Sequence, residues 1–106
     1  MKFEVYDDAG RKPRWRLKAD NGQTVASAGE SFSSASSAKS AAENFKSKAK
    51  SLEFEVYDDA GGKPRWRAKS PNGQTVASSG EAFASKSNAQ SAAENVKDNA
   101  GAASGP

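Results

Sequence analysis

The chain contains no cysteine and no histidine. The first absence excludes disulfide bonds and thiol nucleophiles. Together the two exclude the usual zinc sites and any imidazole general base, and no metal or cofactor is expected. No apolar run approaches the ~20 residues that a membrane-spanning helix needs. Met1-Lys2-Phe3 leads straight into strand-like sequence with no signal-peptide core, so the expectation is a cytoplasmic protein without membrane contact. Charge of either sign is in little excess: 16 Lys and Arg against 13 Asp and Glu leave a formal net charge of +3. A dedicated nucleic-acid binder concentrates far more positive charge on one face. Large apolar residues are scarce too, and at 35% hydrophobic content the Trp and Phe side chains cannot be left exposed.

What is present is a repeat. Residues 3–50 recur as residues 54–101 at a fixed offset of 51, with 34 of 48 positions identical. A unit of about 50 residues buries too little surface to be secure alone. Two units sharing one core is the economical solution, and residues 1–106 read as a single domain with repeat one at 2–52 and repeat two at 53–100. Lys50-Ser51-Leu52-Glu53 is too short to be a flexible linker, so the helix of the first unit hands directly to the first strand of the second. Residues 101–106 offer nothing that would anchor them, which predicts a flexible tail.

Within one unit, Phe3-Glu4-Val5-Tyr6-Asp7-Asp8 alternates apolar and acidic residues and reads as a strand. A Gly- and Pro-containing turn follows, then the strand Arg14-Trp15-Arg16-Leu17-Lys18-Ala19, with three cations on one face and Trp15, Leu17 and Ala19 on the other. Asn21-Gly22 signals a hairpin. A tight two-residue turn there would face Leu17 with Ala26 and Trp15 with Ala28, but it would also put Val25 beside Lys18 on the cationic face. From Ser34 the period changes: Ala38, Ala41, Ala42, Phe45 and Ala49 form a helical stripe. Ser34 and Ser36 are candidate N-caps, and in the second unit Ser87 with Gln90 matches a capping box. The second unit predicts strands at Phe54 to Asp59, Arg65 to Lys69 and Gln74 to Ser79, and a helix at about Ser85 to Ala100.

The combination Phe-Glu-Val-Tyr-Asp, Arg-Trp-Arg-Leu-Lys-Ala, Asn-Gly-Gln-Thr-Val-Ala-Ser and the Ser- and Ala-rich helix resembles the YegP-like family of small bacterial and archaeal proteins, over residues 2–50 and 53–100. The resemblance implies a three-stranded meander, a helix and a short final strand per unit, with two units building one continuous sheet through exchanged C-terminal strands. It implies no chemistry, because the family's biochemical function is not established. The residues after each helix here lack β-forming character, so at most a shortened exchanged strand is expected. The fold class is therefore α+β: tandem β-β-β-α repeats in one pseudo-twofold domain, with a shared antiparallel sheet covered by two helices.

Arg14, Arg16 and Lys18 recur as Arg65, Arg67 and Lys69, and these six cations are the candidate polyanion-binding residues, with Tyr6 and Tyr57 as stacking candidates. The favoured alternative is a solvated face on which the cations pair across strands with Glu4, Asp8 and their copies. Trp15 and Trp66, opposite the cations, read as core anchors. The carboxylates of Asp7-Asp8 and Asp58-Asp59 point to opposite faces, which suits a turn better than a shared ligand. Glu30 and Glu81 either sit in exposed loops or line the junction between units; acid catalysis there would require a deep pocket and a partner group. No residue is assigned a catalytic role. The function expected is a non-enzymatic binding or protein-interaction module, with self-association or an unknown protein partner, and weak nucleic-acid or polyanion binding as the alternative.

Overall fold

Alternating sequence and Asn-Gly turns produce two meanders, which the computed structural model, describing residues 1–105, joins into one six-stranded sheet. The first unit contributes β1 (Lys2–Asp7), β2 (Pro13–Lys18), β3 (Thr24–Ala28) and α1 (Ala35–Lys48); the second contributes β4 (Glu53–Asp58), β5 (Pro64–Lys69), β6 (Thr75–Ser78) and α2 (Lys86–Asn99). The strand order is β1-β2-β3-β6-β5-β4, with every neighbouring pair antiparallel. The third strands therefore meet in the middle, with Ser27 opposite Ser78 and Ala28 opposite Ala77. These small residues allow a close seam. Gly29 shows how close: a Cβ there would lie 2.6 Å from the Thr75 carbonyl oxygen, whereas at the equivalent Gly80 the nearest atom is the Thr24 Cγ2 methyl at 3.1 Å.

The hairpin is not a tight two-residue turn. Gly22 takes a φ of +86°, its N–H donates to the Ala19 carbonyl, and Ala19 N–H donates to the Gln23 carbonyl, giving a three-residue loop. The strand register then slips between Leu17 and Lys18: Lys18 opposes Thr24, Leu17 opposes Ala26, and Val25 is the extra residue. This bulge removes Val25 from the cationic face and packs it, half-buried, against the core. The second unit repeats the bulge around Val76.

Ser34 and Ser85 cap the two helices, their side chains accepting from the N–H groups of Ser37 and Asn88. The capping box expected at Ser87 and Gln90 is not used: both residues lie inside α2, which starts two residues earlier because Ser85 already has the extended φ of −148° that a cap needs. The helices bury Ala38, Ala42 and Phe45, and Ala89, Ala93 and Val96, respectively.

Each helix covers its own meander, but its terminal 3-10 turn, Ala49–Ser51 or Ala100–Ala102, packs against the helix of the other unit. At the end of the second unit, Phe3 N–H donates to the Ser104 carbonyl over 2.9 Å, and Ser104 N–H donates to the Met1 carbonyl over 3.1 Å. This is a single parallel bridge between Ser104 and Lys2, and Ala103 beside it is buried. The expectation that residues 101–106 have nothing to hold them thus fails at Ala103 and Ser104; Pro106 lies outside the described residues. Backbone hydrogen bonds, not β-forming side chains, make this short exchanged strand, which is why composition gave no sign of it.

The core is shared. Phe45 stacks on Trp15 at 5.1 Å and lies edge-on to Phe3 at 6.2 Å; its centroid is also 6.4 Å from Phe54, which in turn is 5.4 Å from Trp66. Phe3 and Phe54 belong to the two opposite edge strands, so the sheet curls until both edges reach one ring. The indole N–H of Trp66 is buried with no acceptor, against a general cost of about 1–3 kcal/mol for such a group.

Truncating Phe45 to Ala is predicted to cost about 3–5 kcal/mol and to lower the stability of both units in one transition. Chemical denaturation followed by fluorescence and circular dichroism tests this, and separate transitions for the two probes would contradict a shared core. Gly29→Ala is predicted to lower Tm more than Gly80→Ala, because its Cβ meets main chain rather than a movable methyl group.

Candidate functional site

Strand alternation sends Arg14, Arg16 and Lys18 to the sheet face away from the helices, and antiparallel pairing places them against β1: Glu4 opposes Arg16 and Tyr6 opposes Arg14. The cations are engaged. Arg16 Nε donates to Glu4 Oε1 at 2.9 Å, Lys18 Nζ lies 3.5 Å from the same oxygen, and Arg14 Nε donates to Asp8 Oδ2 at 2.8 Å. The Arg16 guanidinium also covers the Tyr6 ring at 4.3 Å. The second unit repeats the pattern: Arg67 and Lys69 with Glu55, Arg65 with Asp59 at 2.8 Å, and Arg67 over Tyr57 at 4.4 Å.

Asp8 and Asp59 have a second task. Asp8 Oδ1 accepts from the N–H groups of Gly10 and Lys12, and Asp59 Oδ1 from those of Gly61 and Lys63, so each aspartate closes the turn before β2 or β5. Asp58, the neighbour of Asp59, lies 4.0 Å from Lys86 Nζ. Hydrogen bonding holds four carboxyls below their ordinary range: Glu4 through Arg16, Glu55 through Arg67, Asp8 through the Lys12 backbone and Arg14, and Asp59 through Arg65 and the Lys63 backbone.

Glu30 and Glu81 line the junction between units. Glu30 Oε1 accepts from Gln74 Nε2 at 3.2 Å, and Glu81 Oε1 from Gln23 Nε2 at 2.7 Å, each reaching across to the other unit's hairpin. Each pair stands at the rim of a cavity on the helix side of the sheet. One, of about 410 Å³, lies between α1 and the second hairpin; the other, of about 190 Å³, lies between α2 and the first. The two glutamates thus occupy separate cavities and do not converge, and Tyr6 and Tyr57 sit on the two outermost strands. Among the described residues there is no group of three or more His, Cys, Asp or Glu able to hold a metal ion, and no helix long and apolar enough to cross a membrane.

The cavities were not visible in the sequence as sites. Their one signal was the repeated Gly-Glu (Gly29-Glu30, Gly80-Glu81) together with the repeated Gln after Asn-Gly. Trp15, read correctly as a core anchor, also forms part of the larger cavity's wall.

Two β-β-β-α units fused through a central β3–β6 seam, with a lattice of ion pairs outside and, among the described residues, no cluster able to hold a metal ion, define a class of small duplicated α+β proteins. The family described as a domain of unknown function, DUF1508, matches residues 8–55 and again 59–104. UPF0339 protein NMB1088 of Neisseria meningitidis serogroup B is 44% identical over 46 residues, 43% of this chain and 80% of that protein, and so is about one unit long. The serogroup A protein NMA1193/NMA1859 matches equally. Among solved structures, the protein of unknown function yegP from E. coli has a TM-score of 0.76 at 26% identity, covering 93% of this chain and 84% of that one. UPF0339 protein SO3888 from Shewanella oneidensis shares the fold, with a TM-score of 0.76 at 19% identity over 94% and 84% of the two chains. The chain therefore belongs to the YegP/UPF0339/DUF1508 family of uncharacterised small proteins.

Because the four carboxyls are held low in the folded chain, the unfolded chain takes up protons first as pH falls. Their stabilisation is complete at neutral pH, fades as pH drops below about 4.5, and is gone beneath the folded-state values. Replacing Glu4 and Glu55 together with Gln is predicted to flatten the fall of Tm between about pH 5 and pH 3. An unchanged slope in thermal melts would show that these ion pairs do not contribute.

Proposed function

We propose that the chain is a non-enzymatic, cytoplasmic binding module that receives an extended protein segment along the outer edge of β4. One observation carries this reading. The outer side of β1 accepts Ser104 in a parallel bridge, while no such bridge lies on the equivalent edge of β4 among the described residues. Phe3, under the bridge, is 1% exposed; Phe54, its counterpart, is only half-buried. An uncovered edge of this kind is a template for strand addition.

The chemistry of the segment follows from the strand already on the other side of β4. There β5 sets Arg65, Arg67 and Lys69 on the outer face against Tyr57, Glu55 and Glu53, and Trp66 and Ala68 on the core face against Val56 and Phe54. A segment alternating apolar residues with Lys or Arg satisfies the same two faces from outside. Glu53 adds negative charge along this edge, while Asp58 lies 4.0 Å from Lys86 Nζ; the acid favours a basic partner and disfavours a second copy of β4 itself.

The polyanion reading of Arg14, Arg16, Lys18, Arg65, Arg67 and Lys69, with Tyr6 and Tyr57, draws on the excess of six cations over the four carboxylates paired with them. Its cost is that a phosphate must displace Glu4, Asp8, Glu55 or Asp59 from an existing pair. Retention on nucleic acid at low salt, lost when Arg14, Arg16, Arg65 and Arg67 are neutralised, is what that reading requires.

A synthetic peptide alternating Lys with Val or Ile is predicted to perturb backbone amide resonances along β4 in a saturable way. Val56→Lys, which sets an ammonium on the core face of the edge, should abolish the effect while circular dichroism stays unchanged. Perturbations absent from β4, or undiminished in the folded V56K variant, would overturn the proposal.

A further inference from the structure

The larger of the two junction cavities has the properties of a ligand site, and its twin does not. At about 410 Å³ it falls within the ~300–1,000 Å³ range of small-molecule pockets, whereas the pseudo-equivalent space in the second unit is about 190 Å³. Its walls combine Trp15, Phe32 and Phe45 with Ala41, Leu52 and Val76. Three aromatic rings around one space favour a flat, apolar body.

The rim supplies one cation. Lys48, in the last turn of α1, lines the cavity and joins none of the ion pairs found among the described residues. The other charged group at the rim, Glu30, has its carboxylate directed to Gln74, from which it accepts a hydrogen bond, and among the described residues Lys48 is the one rim group that attracts an anion. Asn44 stands one helical turn before Lys48 and also lines the space, adding an uncharged donor.

Some of the differences between the units fall at this cavity, while Trp15, Phe32, Ala41 and Asn44 keep the same residue type in both. Where the first unit has Phe45, Lys48 and Leu52, the second has Val96, Asn99 and Ala103; where the second hairpin has Pro71, the first has Asp20. One aromatic ring and the cation are therefore lost together on the smaller side, which keeps Phe83, and the hairpin that faces it carries Asp20, paired with the N-terminal ammonium. We infer that the cavity between α1 and the second hairpin binds one small aromatic monocarboxylate per chain, its ring against Trp15, Phe32 and Phe45 and its carboxylate at Lys48. This site is separate from the β4 edge, and its occupancy leaves that edge free.

The two tryptophans make the inference directly readable, because each unit contributes one indole N–H resonance. With indole-3-acetate as the probe, the Trp15 resonance should shift saturably with a stoichiometry of one, and that of Trp66 should stay in place. Tryptamine, which has the same ring but a cationic tail, should bind roughly tenfold more weakly or not at all, and Lys48→Gln should weaken indole-3-acetate by roughly tenfold. Ala41→Leu fills the cavity from a helix position that tolerates leucine and should abolish the shift with the fold intact. The inference is overturned by no saturable shift at millimolar probe, by equal shifts at both tryptophans, or by binding that Lys48→Gln leaves unchanged.

Discussion

Everything in this structure depends on one ring. Phe45 leaves α1 in the first unit, stacks on Trp15 beneath it, and reaches Phe54 in the second unit's edge strand. A six-stranded sheet with only two helices over it has too little apolar sequence for two independent cores. Curling both edges toward a common aromatic side chain solves that shortage. Ala26 opposite Leu17 and Ala77 opposite Ala68 complete the arrangement, because small residues let helix and sheet approach closely enough for the ring to bridge them.

The two faces of the sheet divide the remaining work. On the outside, Arg14, Arg16, Arg65 and Arg67 are each met by a carboxylate from the neighbouring strand or its turn, and Arg16 and Arg67 also by a tyrosine ring. Exposed pairs of this kind contribute little individually. What they fix is geometry: each pair holds a cation of β2 or β5 against the neighbouring edge strand. On the inside, Glu30–Gln74 and Glu81–Gln23 tie each loop to the opposite hairpin, so the junction is held by polar contacts at its rim and by aromatic contacts at its centre.

The strands and helices were legible because their signals are local and were written twice. Alternation fixed which faces of β1 and β2 are buried, and the Ala38 to Phe45 stripe fixed the buried face of α1. The bulge at Val25 was announced as a conflict, an apolar residue forced onto a charged face, without its solution being visible. The Ser104 bridge was foreshadowed only by the family resemblance, as a shortened exchanged strand, and the cavities only by the repeated Gly-Glu and Gln. The first is made by backbone groups, which carry no residue-specific mark. The second arises from residues of both units that are adjacent only after the sheet has curled, and no pattern within one unit encodes that meeting.

Leu52 carries the chain from the first unit's helix into the second unit's first strand, and this covalent passage changes how the pair responds to dilution. Two separate chains of one unit each would come apart as their concentration fell. Joined through so short a segment, the units experience each other at an effective concentration in the millimolar range or above, whatever their number in solution. The junction also releases the two halves from identity. A pair of identical chains must repeat every change on both sides of its axis, whereas here position 45 can be Phe while position 96 is Val. One side can then enlarge a space that the other keeps closed.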